Sequence, residues 1–387
     1  AFSWVDAGSL LLLGAEGVTT RLLGLSIAGG PPVPQEAGSA AVWNGLDRAA
    51  DGTVALLGES PRHPGEVFRW QAGAGEAKRL TDSNPWLAER RLAAQRTVRW
   101  AARDGVELEG LLIEPLDRAS GARMPLVLVV HGGPEAHWSD GWLTRYSNPG
   151  QLLAARGFAV FYPNYRGSTG RGLAFSKSSQ GDPAGKEFDD LVDAVDHFVQ
   201  TGLVDAKRVG ITGGSYGGYA TAWGATYYSE RFAAGVMFVG ISQLGIKGLT
   251  TDIPVEDIDV HMMTPPWKRE ELDRRRSPLS YLEKGRTPLL IAVGKEDPRV
   301  HPSQSLALYR GLKLLGQAPV RLVAYPGEGH GNRRAASQLD LAARLVQWFE
   351  HYLSGPGGAP PPPEIDPRKL LGLDAADAGA GAPESSR

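Results

Sequence analysis

Residues 208–223, RVGITGGSYGGYATAW, decide how the rest of the chain is read. The five residues Arg208 to Thr212 suit a strand, and Tyr219 to Trp223 suit the first turns of a helix. Between them Gly213-Gly214-Ser215-Tyr216-Gly217 fits the pattern G-x-S-x-G. In a chain with 50 glycines among 387 residues the five-letter pattern alone carries little weight. The strand before it and the helix after it give it meaning, because a nucleophile lifted above a sheet edge needs that strained strand-to-helix turn. The glycines let the backbone adopt such a turn, and Gly218 allows the helix to approach the neighbouring strands closely.

Outward from this elbow the texture is β/α. A hairpin is expected over 97–102 and 107–114, turned by Arg103-Asp104-Gly105. Apolar runs follow at 126–130, 158–162, 209–212, 235–239, 289–293 and 320–325, as in the buried strands of a parallel sheet. Between them Phe188, Leu191, Val192, Val195, Phe198 and Val199 make one apolar helical face. The intervening Asp189, Asp190, Asp193 and Asp196 read as a solvated face rather than a metal site. Helices are also expected over 306–315 and 335–353. Strands alternating with helices indicate an α/β fold with a mainly parallel sheet.

The first 90 residues differ. Two stretches, 10–32 and 54–80, each run strand, polar turn, strand, Gly-rich turn, about 44 residues apart, near the ~40–45-residue period of four-stranded propeller blades. Beyond 354 comes GPGGAPPPPEIDPRK and an Ala/Gly/Asp-rich end, expected to be a tail or strap. The expected division is therefore partial β-propeller blades over 1–90, a catalytic domain over 91–354 and a Pro/Gly/Ala-rich tail over 355–387.

Composition removes several chemistries. There is no Cys, which excludes disulfides, Cys-ligated zinc and a cysteine nucleophile. The 41 basic and 43 acidic residues give no broad field for nucleic acid or anionic lipid. No apolar run approaches the ~18–20 residues that span a bilayer, and no signal peptide is visible. Residue 1 is Ala, as in a processed or partial chain, so the compartment stays open.

A serine nucleophile needs a base, and the base an orienting carboxylate, following in the order Ser, acid, His after later strands. Asp297, in GKEDPRVH, lies just past the strand at 289–293, and His330, in YPGEGHGN, just past that at 320–325. Glu296 is the alternative acid, and His301 reads as a surface or supporting residue. Glu328 either shapes the His330 loop or is solvated. Oxyanion donors are expected from the backbone N–H of Tyr216 and from the loop His131-Gly132-Gly133-Pro134. This mechanism requires no cofactor and no metal.

HGGPEAHW, NYRGSTGRG, GGSYGG, GKEDPRVHPSQS and YPGEGHG occur in this order over roughly 97–353. The set resembles the prolyl oligopeptidase family of serine peptidases, most closely its acylaminoacyl-peptidase and dipeptidyl-peptidase-like branches. The resemblance implies an α/β-hydrolase fold, with a mainly parallel eight-stranded sheet and helices on both faces, preceded by a partial β-propeller of about two blades. It implies Ser215 as nucleophile, Asp297 as acid, His330 as base, and Gly133 and Tyr216 as oxyanion donors. Val239 and Val300 fall where the family lines its primary specificity pocket, and Arg299 where a polar residue can hold a substrate carbonyl.

The chain also departs from the family. The propeller segment carrying the glutamates with which its dipeptidyl peptidases hold a substrate's amino terminus has no counterpart here. Where some branches have an oxyanion tyrosine, this chain has His131. The 240–286 segment is long enough to cap or shape a pocket; its Arg274-Arg275-Arg276 reads as a solvated face. The expected activity is hydrolysis of short peptides through an acyl-enzyme, with the missing blades supplied by the same precursor or a partner chain, and a homo-oligomer possible. A carboxylesterase with the same residues and an inactive hydrolase-fold binding module are the alternatives.

Overall fold

The computed structural model describes residues 1–38, 41–118 and 121–373. It opens with two four-stranded antiparallel sheets: β1 (Phe2–Asp6), β2 (Ser9–Glu16), β3 (Thr19–Ser26) and β4 (Val33–Gln35), then β5 (Val42–Arg48), β6 (Val54–Ser60), β7 (His63–Trp70) and β8 (Lys78–Arg79). The two similar stretches correspond to the inner hairpins β2–β3 and β6–β7. Along β6 and β7 buried and exposed residues alternate, the two-residue period of a half-buried strand. Leu11, Leu22, Trp43, Val54, Leu56, Phe68 and Trp70 from both sheets share one apolar cluster.

Eight further strands form the main sheet: β9 (Gln95–Ala101), β10 (Glu107–Ile113), β11 (Met124–Val130), β14 (Ala159–Asn164), β15 (Val204–Gly214), β16 (Ala234–Phe238), β17 (Leu289–Gly294) and β18 (Val320–Tyr325). A two-residue ribbon, β12 (Thr144–Arg145) with β13 (Asn148–Pro149), lies between β11 and β14 in the chain. The sheet order is β18-β17-β16-β15-β11-β14-β10-β9. From β14 to β18 every pairing is parallel, and the β9–β10 hairpin adds antiparallel to β14. Every residue of β11, β14, β16 and β17 is buried, which is why these strands read as unbroken apolar runs.

Helices cover both faces. Those that position the site are α1 (Gly150–Ala154), α2 (Leu173–Ser176), α3 (Lys186–Gln200), α4 (Tyr216–Thr226), α5 (Leu244–Thr250), α6 (Pro254–Glu256), α7 (Glu270–Arg275), α8 (Ser303–Leu315) and α9 (Ala335–Phe349). Phe188, Leu191 and Val195 of α3 and Tyr219 and Trp223 of α4 pack on one face, while Leu153 of α1 and Val346 and Phe349 of α9 pack on the other. The expected tail is described only as far as residue 373, and 374–387 lie outside the described residues. Its first part is a strap, with the carbonyls of Pro361 and Pro363 accepting from Arg321 and Arg344, and α10 (Pro367–Leu371) resting on α9 through Leu370 and Leu371.

One expectation about α3 needs correcting. Its aspartates are not a solvated face: Asp190 is fully buried under the Arg166 guanidinium at 2.7 Å, and Asp193 pairs with Arg103 at 2.8 Å. Asp189 bonds Tyr228 and Asp196 pairs with Arg231. The arginines come from loops distant in sequence, so the helix periodicity could not reveal them.

Candidate active site

β15 ends at Gly214 and α4 begins at Tyr216, leaving Ser215 alone at the turn with φ 59° and ψ −119°. A non-glycine residue at positive φ costs about 1–3 kcal/mol and persists only where its surroundings over-determine it. Here the Ser215 N–H donates to Phe238 O at 3.1 Å, and its carbonyl accepts from Tyr219 N at 2.9 Å. The flanking glycines make the fit possible, since a Cβ on Gly217 would lie 2.0 Å from Val130 O and one on Gly218 2.6 Å from Phe238 O.

The loops after β17 and β18 bring Asp297 and His330 together. Asp297 is buried, and its Oδ1 accepts the backbone amides of Arg299 (2.9 Å) and Val300 (3.0 Å). Its Oδ2 faces His330 Nδ1 at 2.8 Å. Glu296 is exposed, and the ring of His301, also exposed, bonds Ser303. Glu328 is not solvated: its carboxylate accepts the amides of Arg333 (2.7 Å) and Arg334 (3.1 Å) and so fastens the His330 loop. Those amides, Arg333 first, hold its carboxyl below the usual range.

Ser215 and His330 meet as walls of one cavity of about 340 Å³, which Gly133 and Tyr216 also line. Among the described residues the Ser215 hydroxyl donates no hydrogen bond to His330, whose Nδ1 is engaged with Asp297; such bonds often tighten only once substrate is bound. The 131–134 loop lies against the elbow: a Cβ on Gly132 would sit 3.3 Å from Ser215 Cβ and 3.8 Å from Tyr216 N. The Tyr216 N–H, at the start of α4, has no intrahelical acceptor. Its side chain turns inward, where the hydroxyl donates to the buried Glu187 carboxyl at 2.9 Å. Burial pushes that carboxyl up to about 8. His131 faces away from the cavity, stacked on Tyr165 and 2.8 Å from Ser168 Oγ, and burial lowers its imidazole to about 4.

Val300 and Arg299 line the cavity, Arg299 with its guanidinium on Asp252. Val239 does not reach it. At φ 43° its side chain is buried instead in the cluster of Phe238, Ala292 and Tyr325. Apolar walls come from Ile241, Leu244, Ile253 and Met262, within the 240–286 segment that sequence marks only as long. That segment is braced by a buried ionic quartet, with Asp257 held by Lys247 and by Arg269 (2.8 Å), and Arg269 also by Asp273 (3.0 Å). In the triplet, Arg274 and Arg275 pair with Glu271 and Arg276 with Asp182. Sequence reasoning also missed Glu135, Glu256 and His261 in the cavity wall, because the contact between Glu135 and His261 joins residues 126 positions apart.

The chain is similar to known proteins. The dipeptidyl aminopeptidase BIII of Pseudoxanthomonas mexicana is 38% identical over 306 residues, covering 74% of this chain and 43% of that protein. The solved acylaminoacyl peptidase of Pyrococcus horikoshii is 28% identical with a TM-score of 0.81, over 95% of this chain and 57% of that one. A puromycin-hydrolysing peptidase of Mycobacterium tuberculosis aligns at 25% identity and a TM-score of 0.82, over 93% of this chain and 55% of that one. The chain thus spans less than half the length of the first of these. Residues 144–356, more than half of the chain and including the elbow and both later loops, match the prolyl oligopeptidase family, and the chain belongs to that family.

Proposed function

We propose that this chain is the catalytic part of a serine exopeptidase acting on short peptides, of the aminopeptidase, acylaminoacyl-peptidase or dipeptidyl-peptidase kind. The observation that carries the reading is the pairing of buried Asp297 with His330, which lines the cavity that holds Ser215 at its positive-φ turn. Ser215 Oγ attacks the scissile carbonyl while His330 Nε2 takes its proton, and Asp297 holds the imidazole with Nδ1–H inward. The amides of Tyr216 and Gly133 take the developing oxyanion. The C–N bond then breaks, His330 returns the proton to the leaving amine, and water hydrolyses the acyl-serine by the same path. Val300 and Arg299 shape the substrate side. The domain limits proposed from sequence, 1–90 and 91–354, assign the first two sheets to propeller blades and the remainder to catalysis.

The test is turnover of aminoacyl, N-acylaminoacyl and dipeptidyl 4-nitroanilides and of a simple ester, in wild type and Ser215→Ala. Amide turnover that falls at least ~10³-fold in the variant supports the reading. Ester turnover without any amide turnover, or activity unchanged in Ser215→Ala, overturns it.

A further inference from the structure

Among the described residues, those lining the catalytic cavity all lie at or beyond position 133, so the first two sheets can reach the reaction only through the loops they touch. One such loop is the 131–143 stretch between β11 and β12, which carries Gly133 and has no regular secondary structure. An oxyanion donor works only when its surroundings hold it within about 0.5 Å of its place.

The turn of the β2–β3 hairpin supplies part of that hold. It consists of Gly17 and Val18, with Gly17 at φ 58°, a first position that such a two-residue turn reserves for glycine. Val18 is 7% exposed, and its side chain belongs to the main-sheet cluster of Val127, Val129, Leu143 and Leu153, not to the cluster shared by the first two sheets. The backbone of the turn is bonded on both sides. The Asp140 N–H donates to the Val18 carbonyl at 2.6 Å, toward the far end of the Gly133 loop. The Gly17 N–H donates to the Gly170 carbonyl at 2.8 Å, in the 165–172 loop after β14.

These two loops are also bonded to each other. The Thr169 N–H donates to the Ala136 carbonyl at 2.9 Å, and Thr169 Oγ1 lies 2.7 Å from His137 Nδ1. Ser168 Oγ lies 2.8 Å from His131 Nε2. Gly133 therefore sits between His131 and Ala136, both tied to the 165–172 loop, and that loop is tied in turn to Gly17. The contact is close, since a Cβ on Gly170 would lie 2.8 Å from the Gly17 carbonyl.

We propose that the Gly17-Val18 turn is a positioning element for catalysis: seated in the main core by Val18, it clamps the 131–143 and 165–172 loops together and so fixes the Gly133 amide beside the elbow. This rests on the peptidase reading above, which makes that amide an oxyanion donor. The first sheet then contributes to rate without touching substrate. Loosening the turn should weaken transition-state stabilisation and leave ground-state binding nearly unchanged.

The test measures kcat and KM for wild type, Val18→Ala, Thr169→Val and Val346→Ala, with 4-nitrophenyl acetate and with the dipeptide 4-nitroanilide Gly-Phe-4-nitroanilide, alongside stability in urea. Val346→Ala removes the same atoms from the same apolar cluster, but from α9 rather than from the turn. In Val18→Ala kcat should fall at least about tenfold with KM within about threefold of wild type. Thr169→Val, which trades a hydroxyl for a methyl group at a half-buried position, should lower kcat in the same sense, and Val346→Ala should leave it unchanged. If Val18→Ala does not fold, Thr169→Val decides alone. An unmoved kcat in both loop variants, a loss confined to KM, or an equal loss in Val346→Ala overturns the proposal. If wild type hydrolyses the ester but no amide, and ester kcat still falls in Val18→Ala, the peptidase reading fails and the positioning role stands. Amide turnover with kcat unmoved in Val18→Ala and Thr169→Val leaves the reading standing and removes the role. A wild type inert toward ester and amide alike overturns both.

Discussion

Asp297 holds His330 through one carboxylate oxygen while backbone amides hold the other: Oδ2 lies 2.8 Å from Nδ1 of His330, and Oδ1 accepts from Arg299 and Val300. The carboxylate is thereby fixed in orientation, and so is the tautomer it selects. Asp297→Asn keeps an oxygen for the two amides but turns an N–H toward Nδ1. The imidazole must then carry its proton on Nε2, where it cannot accept one from Ser215. The expected outcome is a fall in kcat of about 10⁴-fold with folding retained. Steady-state kinetics with circular dichroism checks it, and a loss under tenfold would remove Asp297 from the mechanism.

Gly217→Ala places a methyl group 2.0 Å from the Val130 carbonyl, a backbone atom that cannot move without displacing β11. The expected cost is at least about 3 kcal/mol, through the overpacking route to large losses. Chemical denaturation reads it directly. A variant as stable as wild type would mean that the elbow is looser than its packing implies.

Glu187 makes stability depend on pH. Burial raises its carboxyl from an ordinary 4.5 to about 8 in the folded chain, beside Tyr216, Tyr219, Tyr165 and Asp182, with Arg276 nearby. Between those values the folded form keeps a proton that the unfolded form has released. Its contribution is complete below pH 4.5 and is lost as pH rises through about 8. Glu187→Gln should flatten that decline by an amount on the order of a few kcal/mol. Melting temperatures of both proteins from pH 5 to 9 decide it, and parallel curves would reject the assignment.

Arg166 and Asp190 are both buried, so neither can lose its partner cheaply. Asp190→Ala should destabilise by about 3 kcal/mol, because the guanidinium loses its fully buried carboxylate and keeps only the partly exposed Asp104. Replacing both, as Arg166→Met with Asp190→Leu, should cost less than Asp190→Ala alone. A double-mutant cycle in urea measures the difference, and strict additivity would contradict the pairing.

Much of the fold is legible before any coordinates. Runs such as 126–130 and 289–293 are apolar because both faces of their strands are covered, and that signature is local. Ser215, Asp297 and His330 are readable for a related reason, since each lies just beyond a strand end that the apolar runs mark. What escapes is chemistry assembled across long loops. Asp190 is hydrophilic by composition yet fully buried, because Arg166 arrives from the loop after β14. Val239 follows a buried strand and looks fit to line a pocket, but at its positive φ the side chain packs in the core. Glu135 and His261 become neighbours only when the capping segment folds over the 131–135 loop, and no periodicity encodes that closure.

The ionic quartet of Lys247, Asp257, Arg269 and Asp273 closes its charges upon itself, within a single stretch of the chain. The segment that walls the cavity thus carries its own ionic scaffold, tied to the Asp297 loop through Asp252 and Arg299. Positions such as Ile253, Glu256 and Met262 can diverge on that frame while the reacting groups stay where they are. Changes confined to that one stretch would rebuild most of the cavity's apolar wall without touching Ser215, Asp297 or His330.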